Sequence, residues 1–184
     1  MSASTSGNEW GRAHAEPVEK CKVVVLYDDE AARLRAERIC QNLAFKFQDE
    51  AEFEVVSWEF DQLMRPVEAQ NAAALASDAD LVIFSTTQGD LPPEASNWLQ
   101  AWQQTTRAKP DGVIGLLTTE VYERKIHLEE SVVLLEQTAR LHHMDFLTSE
   151  QFDAYHKMHE IDRRAKAITP LLQNLMDLPE AAIH

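Results

Sequence analysis

Positive charge is what this sequence has too little of. Lys and Arg total 17 against 31 Asp and Glu, a formal charge of −14 over 184 residues. A surface that acidic repels nucleic acid and anionic membrane, which excludes both as expected partners. It keeps a chain in solution, or it receives a basic protein. Cysteine is limited to Cys21 and Cys40, without metal-ligand spacing. A disulfide framework is therefore excluded, and two buried, reduced thiols are expected. No apolar run approaches the roughly 18 residues of a membrane span. The N-terminus lacks the charged-then-apolar pattern of a signal peptide. A cytoplasmic protein is the expectation. There is no internal repeat, low-complexity segment or linker, and a chain of this length can bury one large core.

What is present alternates. Residues 1–20 are rich in Ser, Gly, Asn, Ala and Glu without periodicity, and read as a disordered leader with Trp10 as its one sizeable anchor. Cys21-Lys-Val-Val-Val-Leu-Tyr27 is a β-branched run with no polar alternation, which suits a central parallel strand covered on both faces. Ala32, Ala36, Ile39, Cys40, Leu43 and Phe47 then fall at helical spacing, with Arg33, Arg35, Glu37 and Arg38 mostly on the other side. Asp28 or Asp29 is placed to cap that helix. Phe53 to Phe60 reads as a second strand, nearer the sheet edge because Glu54 and Glu59 interrupt it.

Asp61 is a candidate cap for a helix running to about Ala76, with Pro66 limiting how early it starts. Asp80–Phe84 is a third strand, and Pro93 stands where a first helical residue should. Ala95, Trp98, Leu99 and Trp102 make one helical face, and the two tryptophans read as core rather than as a stacking platform. Val113–Leu117 is a fourth strand, followed by a helix from about Tyr122 to Leu141. His143–Leu147 is a fifth strand, and Thr148-Ser-Glu-Gln151 resembles a capping box opening a final helix. That helix carries Phe152, Tyr155, Met158 and Ile161 through Leu175 at helical spacing, and Pro170 kinks or ends it.

Five strands alternating with five helices imply an α/β fold: a three-layer, doubly wound, five-stranded parallel sheet of order 2-1-3-4-5. One domain over 21–178 is expected, with a tail over 179–184. Such a sheet binds ligands outside the carboxyl ends of strands one and three, where the winding reverses. The flanking loops supply the candidate rim: Thr86, Thr87, Gln88, Gly89 and Asp90 on one side, with Thr118, Thr119 and Glu120 beside them. Across the crevice stand Asp28 and Asp29, which can cap a helix or ligate a hard cation such as Mg²⁺. His142-His143 flank a strand start. His156 and His159, one turn apart, have the spacing of a shared metal pair but no third ligand in view.

The stretch Asp80-Leu-Val-Ile-Phe-Ser-Thr-Thr-Gln-Gly-Asp-Leu-Pro-Pro-Glu-Ala-Ser-Asn-Trp-Leu99 resembles the third strand, loop and helix of flavodoxin-like proteins. Members of that group that bind FMN use this loop against the flavin ring. They also place a Ser/Thr- and Gly-rich loop after strand one to hold the phosphate. Here that loop is Asp28-Asp-Glu-Ala-Ala32, with no glycine and no hydroxyl. A helix N-terminus favours an exposed anion by about 0.3–1 kcal/mol. A carboxylate near a phosphate costs about 2–4 kcal/mol at an effective dielectric of about 20. The carboxylates outweigh the dipole, so no cofactor is expected, and FMN is the minority alternative.

A second stretch, Val24-Val-Leu-Tyr-Asp-Asp-Glu30, resembles the first strand and acidic pair of two-component receiver domains, which hold Mg²⁺. Ser85 stands where a receiver has its phosphorylated Asp, and Leu147 and Thr148 where it has a Lys. A degenerate, pseudo-receiver use is what remains. The resulting expectation is a non-catalytic, regulatory module acting through a protein partner or as a homodimer. The alternatives are an FMN- or nucleotide-dependent redox protein with a divergent phosphate loop and, more remotely, a metal-dependent hydrolase using Asp28, Asp29 and Asp90.

Overall fold

The apolar run after Lys20 becomes the second strand of a five-stranded sheet in a computed structural model, which describes residues 19–106, 109, 111–118 and 125–151. In chain order the elements are β1 (Glu19–Tyr27), α1 (Glu30–Lys46), β2 (Ala51–Glu59), a 3₁₀ turn (Phe60–Met64), α2 (Pro66–Ser77), β3 (Leu81–Thr86), α3 (Pro93–Trp102), β4 (Val113–Thr118), α4 (Lys125–Leu141) and β5 (Asp145–Thr148). All pairings are parallel and the order is β2-β1-β3-β4-β5, as the alternation implies. The architecture is a three-layer α/β fold, compatible with the flavodoxin-like one. Of the expected leader over 1–20, residues 1–18 lie outside the described residues, as does everything after Gln151, where a final apolar helix is expected; Glu19 and Lys20 belong to β1. No described helix is long and apolar enough to cross a membrane.

Strand period divides the core in two. Val24, Leu26, Val82, Phe84, Ile114 and Leu116 face α2, α3 and α4, whereas Val23, Val25, Leu81, Ile83 and Leu117 face α1. β3 is buried along its whole length, as an apolar run at the sheet centre must be. Asp80 pins its start: the carboxylate accepts from Lys22 N–H at 2.9 Å, and its own N–H donates to Lys22 C=O at 2.9 Å. Cys40 is buried in α1 and Cys21 is only half-buried in β1. Desolvation pushes both thiols up to about 11, which keeps them protonated.

The face Ala95, Trp98, Leu99 and Trp102 is buried, as its spacing requires. Trp98 stacks on Trp102 at 5.4 Å between ring centroids, and Trp102 stacks on His142 at 4.5 Å. Both indoles satisfy their donors, Trp102 to Ser77 Oγ at 3.0 Å and Trp98 to Ala69 C=O at 3.0 Å. The stack therefore ties α3 to α2 and to the end of α4.

Several boundaries differ from the sequence reading for local reasons. β1 starts at Glu19 because its ladder with β2 runs back to Glu19–Ala51. Phe60 leaves the strand to become core, 2% exposed, at the head of the 3₁₀ turn. Asp61 sits inside that turn and caps nothing. α2 starts at Pro66 itself, since proline holds Arg65 in extended backbone (φ −87°, ψ 122°). β5 starts two residues late because His143 adopts φ +54° to end α4, with Met144 N–H bonded to Ala139 C=O at 2.8 Å. The capping box at Thr148 is present in half, Thr148 N–H donating to Gln151 Oε1 at 2.8 Å.

Trp102→Ala is expected to cost about 3–5 kcal/mol in urea unfolding, since it empties the stack and removes the indole donor to Ser77 Oγ. Val67→Ala, at a side chain 67% exposed on α2, is expected to stay within about 0.5 kcal/mol. Equal losses from the two would contradict this assignment of the core.

Candidate functional site

At the carboxyl edge of the sheet β1 and β3 lie side by side, and the helices that follow them leave toward opposite faces. α1 packs over Val23, Val25 and Ile83, and α3 over Leu26 and Phe84. Two loops meet in the gap, Asp28–Asp29 after β1 and Thr86–Pro92 after β3. This is the switch point, and it is bridged from within.

Asp28 makes the bridge. Its Oδ2 accepts from Thr86 Oγ1 at 2.8 Å, from Thr87 N–H at 2.8 Å and from Thr87 Oγ1 at 3.1 Å. Its own N–H donates to Ser85 C=O at 3.3 Å. The Thr87 hydroxyl also approaches Asp29 Oδ2 at 2.9 Å, so a single proton is shared between two carboxylates. Asp28 Oδ1 is buried and has no hydrogen-bond partner among the described residues. The bridge thus carries a cost of its own.

Asp29 is the N-cap of α1, accepting Ala32 N–H through Oδ1 at 2.8 Å. That bond, the Thr87 hydroxyl and the nearby Arg35 guanidinium hold its carboxyl below the ordinary range, against a partial desolvation. Arg35 Nη1 also donates to Thr86 C=O at 3.2 Å. The sequence reading set Arg35 on the solvent side of α1. Nothing in the spacing signals this long reach, which depends on where β3 ends.

The β3 loop is organised around Thr86, which is fully buried. Its hydroxyl accepts from Gln88 N–H at 3.1 Å while donating toward Asp28. Gly89 takes φ +86° with open space where a Cβ would sit, so backbone conformation rather than crowding asks for glycine. Leu91 N–H donates to Ser131 Oγ at 2.9 Å, tying the loop to α4, another contact that spacing does not signal. Gln88 is exposed and Asp90 half-buried. Thr118 pairs in register with Thr86, and its N–H goes to Ser149 Oγ at 2.9 Å. Of the rim candidates, Thr86 and Thr87 are therefore joined to Asp28 and Asp29. Thr119 and Glu120 lie outside the described residues, as do His156 and His159.

A flavin phosphate does not fit this set. The Thr86 and Thr87 donors already serve carboxylates, and a phosphate brought to the end of β1 meets Asp28 and Asp29. No group of three His, Cys, Asp or Glu side chains able to hold a metal ion occurs among the described residues. Ser85 is wholly buried, and its hydroxyl donates to Ala32 C=O at 2.8 Å, so it is not placed to accept a phosphoryl group. Elsewhere, an open cleft of about 420 Å³ lies between α4 and β5, lined in part by Val132, Arg140, Phe146 and Gln151. It is away from the switch point. No protein-family model matches the chain, and no curated protein matches it.

Two substitutions test the bridge. Asp28→Ala removes three charge-assisted bonds along with one buried orphan oxygen, and the bonds dominate. A loss of about 2 kcal/mol in urea unfolding is expected; unchanged stability would contradict the bridge. Asp29→Asn keeps a cap but not a charge. Because the folded pKa of Asp29 lies below its ordinary 3.8, its contribution is full above that value and is lost as pH falls through the folded value. Wild type should lose its advantage over Asp29→Asn below about pH 4, and parallel stability curves across that window would refute this.

Proposed function

We propose that the chain is a non-catalytic, flavodoxin-like module, used in the manner of a pseudo-receiver, that regulates through contact with another protein. The observation that carries this reading is the Asp28 bridge across the switch point. In a doubly wound sheet that position is the natural ligand crevice. Here the donors of the β3 loop face a carboxylate of the same chain, so an incoming anion must break three hydrogen bonds and accept two like charges. The buried, bonded Ser85 supports the same reading by offering no phosphoacceptor. With both chemistries of the related folds disfavoured, the surface is what remains for function.

The competing reading is a flavin- or nucleotide-dependent redox protein that holds its phosphate elsewhere. An absorbance scan of the purified chain, followed by titration with FMN, separates the two. Colourless protein whose melting temperature ignores added FMN is the expected result. Yellow protein with flavin bands, or a melting temperature that rises with FMN, would falsify the proposal.

A further inference from the structure

We infer that the outer edge of β2 is a docking strand for an extended, cationic segment of a partner protein. The inference rests on the module reading and gives its contact surface. Among the described residues β2 is the outermost strand, nine residues long, and pairs with β1 alone. The N–H groups at its two ends are satisfied inside the chain, Ala51 to Phe47 C=O at 2.9 Å and Glu59 to Gln62 Oε1 at 3.0 Å. Backbone direction alternates along a strand, so the N–H and C=O groups of Phe53, Val55 and Ser57 point the same way, to the open side. An added strand would find a free hydrogen-bonding row there among the described residues.

The side chains around that row are unusual for an edge. Val55 and Val56, on opposite faces, are 41% and 40% exposed. Met64, Val67 and Leu75 lie exposed on the adjoining turn and helix. Leu75 is two turns from Glu68, whose carboxylate accepts the Trp58 indole N–H at 3.2 Å and so places that side of α2 beside β2. Apolar surface thus adjoins the edge on the α2 face.

Charge selects the occupant. Between Asp49 and Glu68 there are seven acidic side chains and one basic one, Arg65. The neighbouring Lys20 is engaged with Glu54. A second copy would set Glu52 and Glu54 against the same acidic strand, with −14 on each molecule, and like charges across a ladder destabilise it. Edge strands are commonly guarded by charge. Here the charge is of one sign, so it bars a second copy and admits a cationic strand.

The test uses the full ¹⁵N-labelled chain and two synthetic peptides of β2's own nine-residue length, one alternating Lys and Val and the other Glu and Val. The Lys–Val peptide should shift amides of β2 and the adjoining turn, and the Glu–Val peptide should shift none. Val55→Pro removes an outward N–H without touching the β1 ladder, and Glu52→Lys reverses one charge. Each should weaken binding about tenfold or more, a change of about 1.4 kcal/mol. A well-dispersed spectrum of Glu52→Lys keeps the test decisive if Val55→Pro does not fold. The inference fails if the Lys–Val peptide leaves β2 unmoved, if it binds both variants undiminished, or if light scattering shows a dimer that Val55→Pro separates. Colourless protein with an unresponsive β2 overturns the docking strand alone, whereas flavin bands overturn the module reading itself.

Discussion

A single carboxylate decides what the central crevice of this fold is. Parallel strands all end at one edge of the sheet, and where winding reverses the two departing helices leave a gap lined with backbone and hydroxyl donors. Those donors need an acceptor, since buried polar groups left unpaired cost about 1–3 kcal/mol each. Asp28 supplies it, taking Thr86 Oγ1, Thr87 N–H and Thr87 Oγ1 onto one oxygen. The loop after β3 is then bound to the end of β1, Arg35 adds a hydrogen bond to Thr86 C=O, and Ser131 holds the far side of the loop. A site that the topology opens to a ligand is closed by the chain's own side chains.

The fold was legible because its strongest signals are long. The unbroken runs Val23–Leu26 and Leu81–Phe84 could hardly be other than buried parallel strands, and glutamates in β2 marked the edge. The Trp98–Trp102 face also followed from spacing alone. Boundaries were less legible, because short-range chemistry sets them: Pro66 forbids a helical Arg65, and His143 ends α4 through a left-handed residue. The site was legible by half. Both sets of residues were visible as loops flanking one crevice, and the cap as Asp28 or Asp29, of which the structure uses Asp29. That Asp28 would bond Thr86 and Thr87 was not, since the partners are 58 and 59 positions apart. Sequence reading treated the acids as a barrier to phosphate. It did not see them as acceptors for the opposite wall.

The two ends of the molecule's surface chemistry are complementary in this light. Where ligand binding is expected by topology, hydrogen bonds run inward and the donors are engaged. Where a sheet is commonly guarded, at β2, backbone groups and valines stand open among the described residues, within a strongly acidic strand. If the proposed docking holds, recognition lies at the edge rather than in the crevice, and the −14 charge would favour basic partners over copies of the chain itself.

The internal closure of the switch point is most directly tested by amide hydrogen exchange at Thr87. Its N–H lies in a loop, outside every strand and helix, and is bonded to Asp28 alone. The account predicts marked protection of that amide in the native chain, lost on Asp28→Ala while the amides of Val82 to Phe84 keep theirs. A Thr87 amide that exchanges in the native chain as fast as an unstructured one would contradict it.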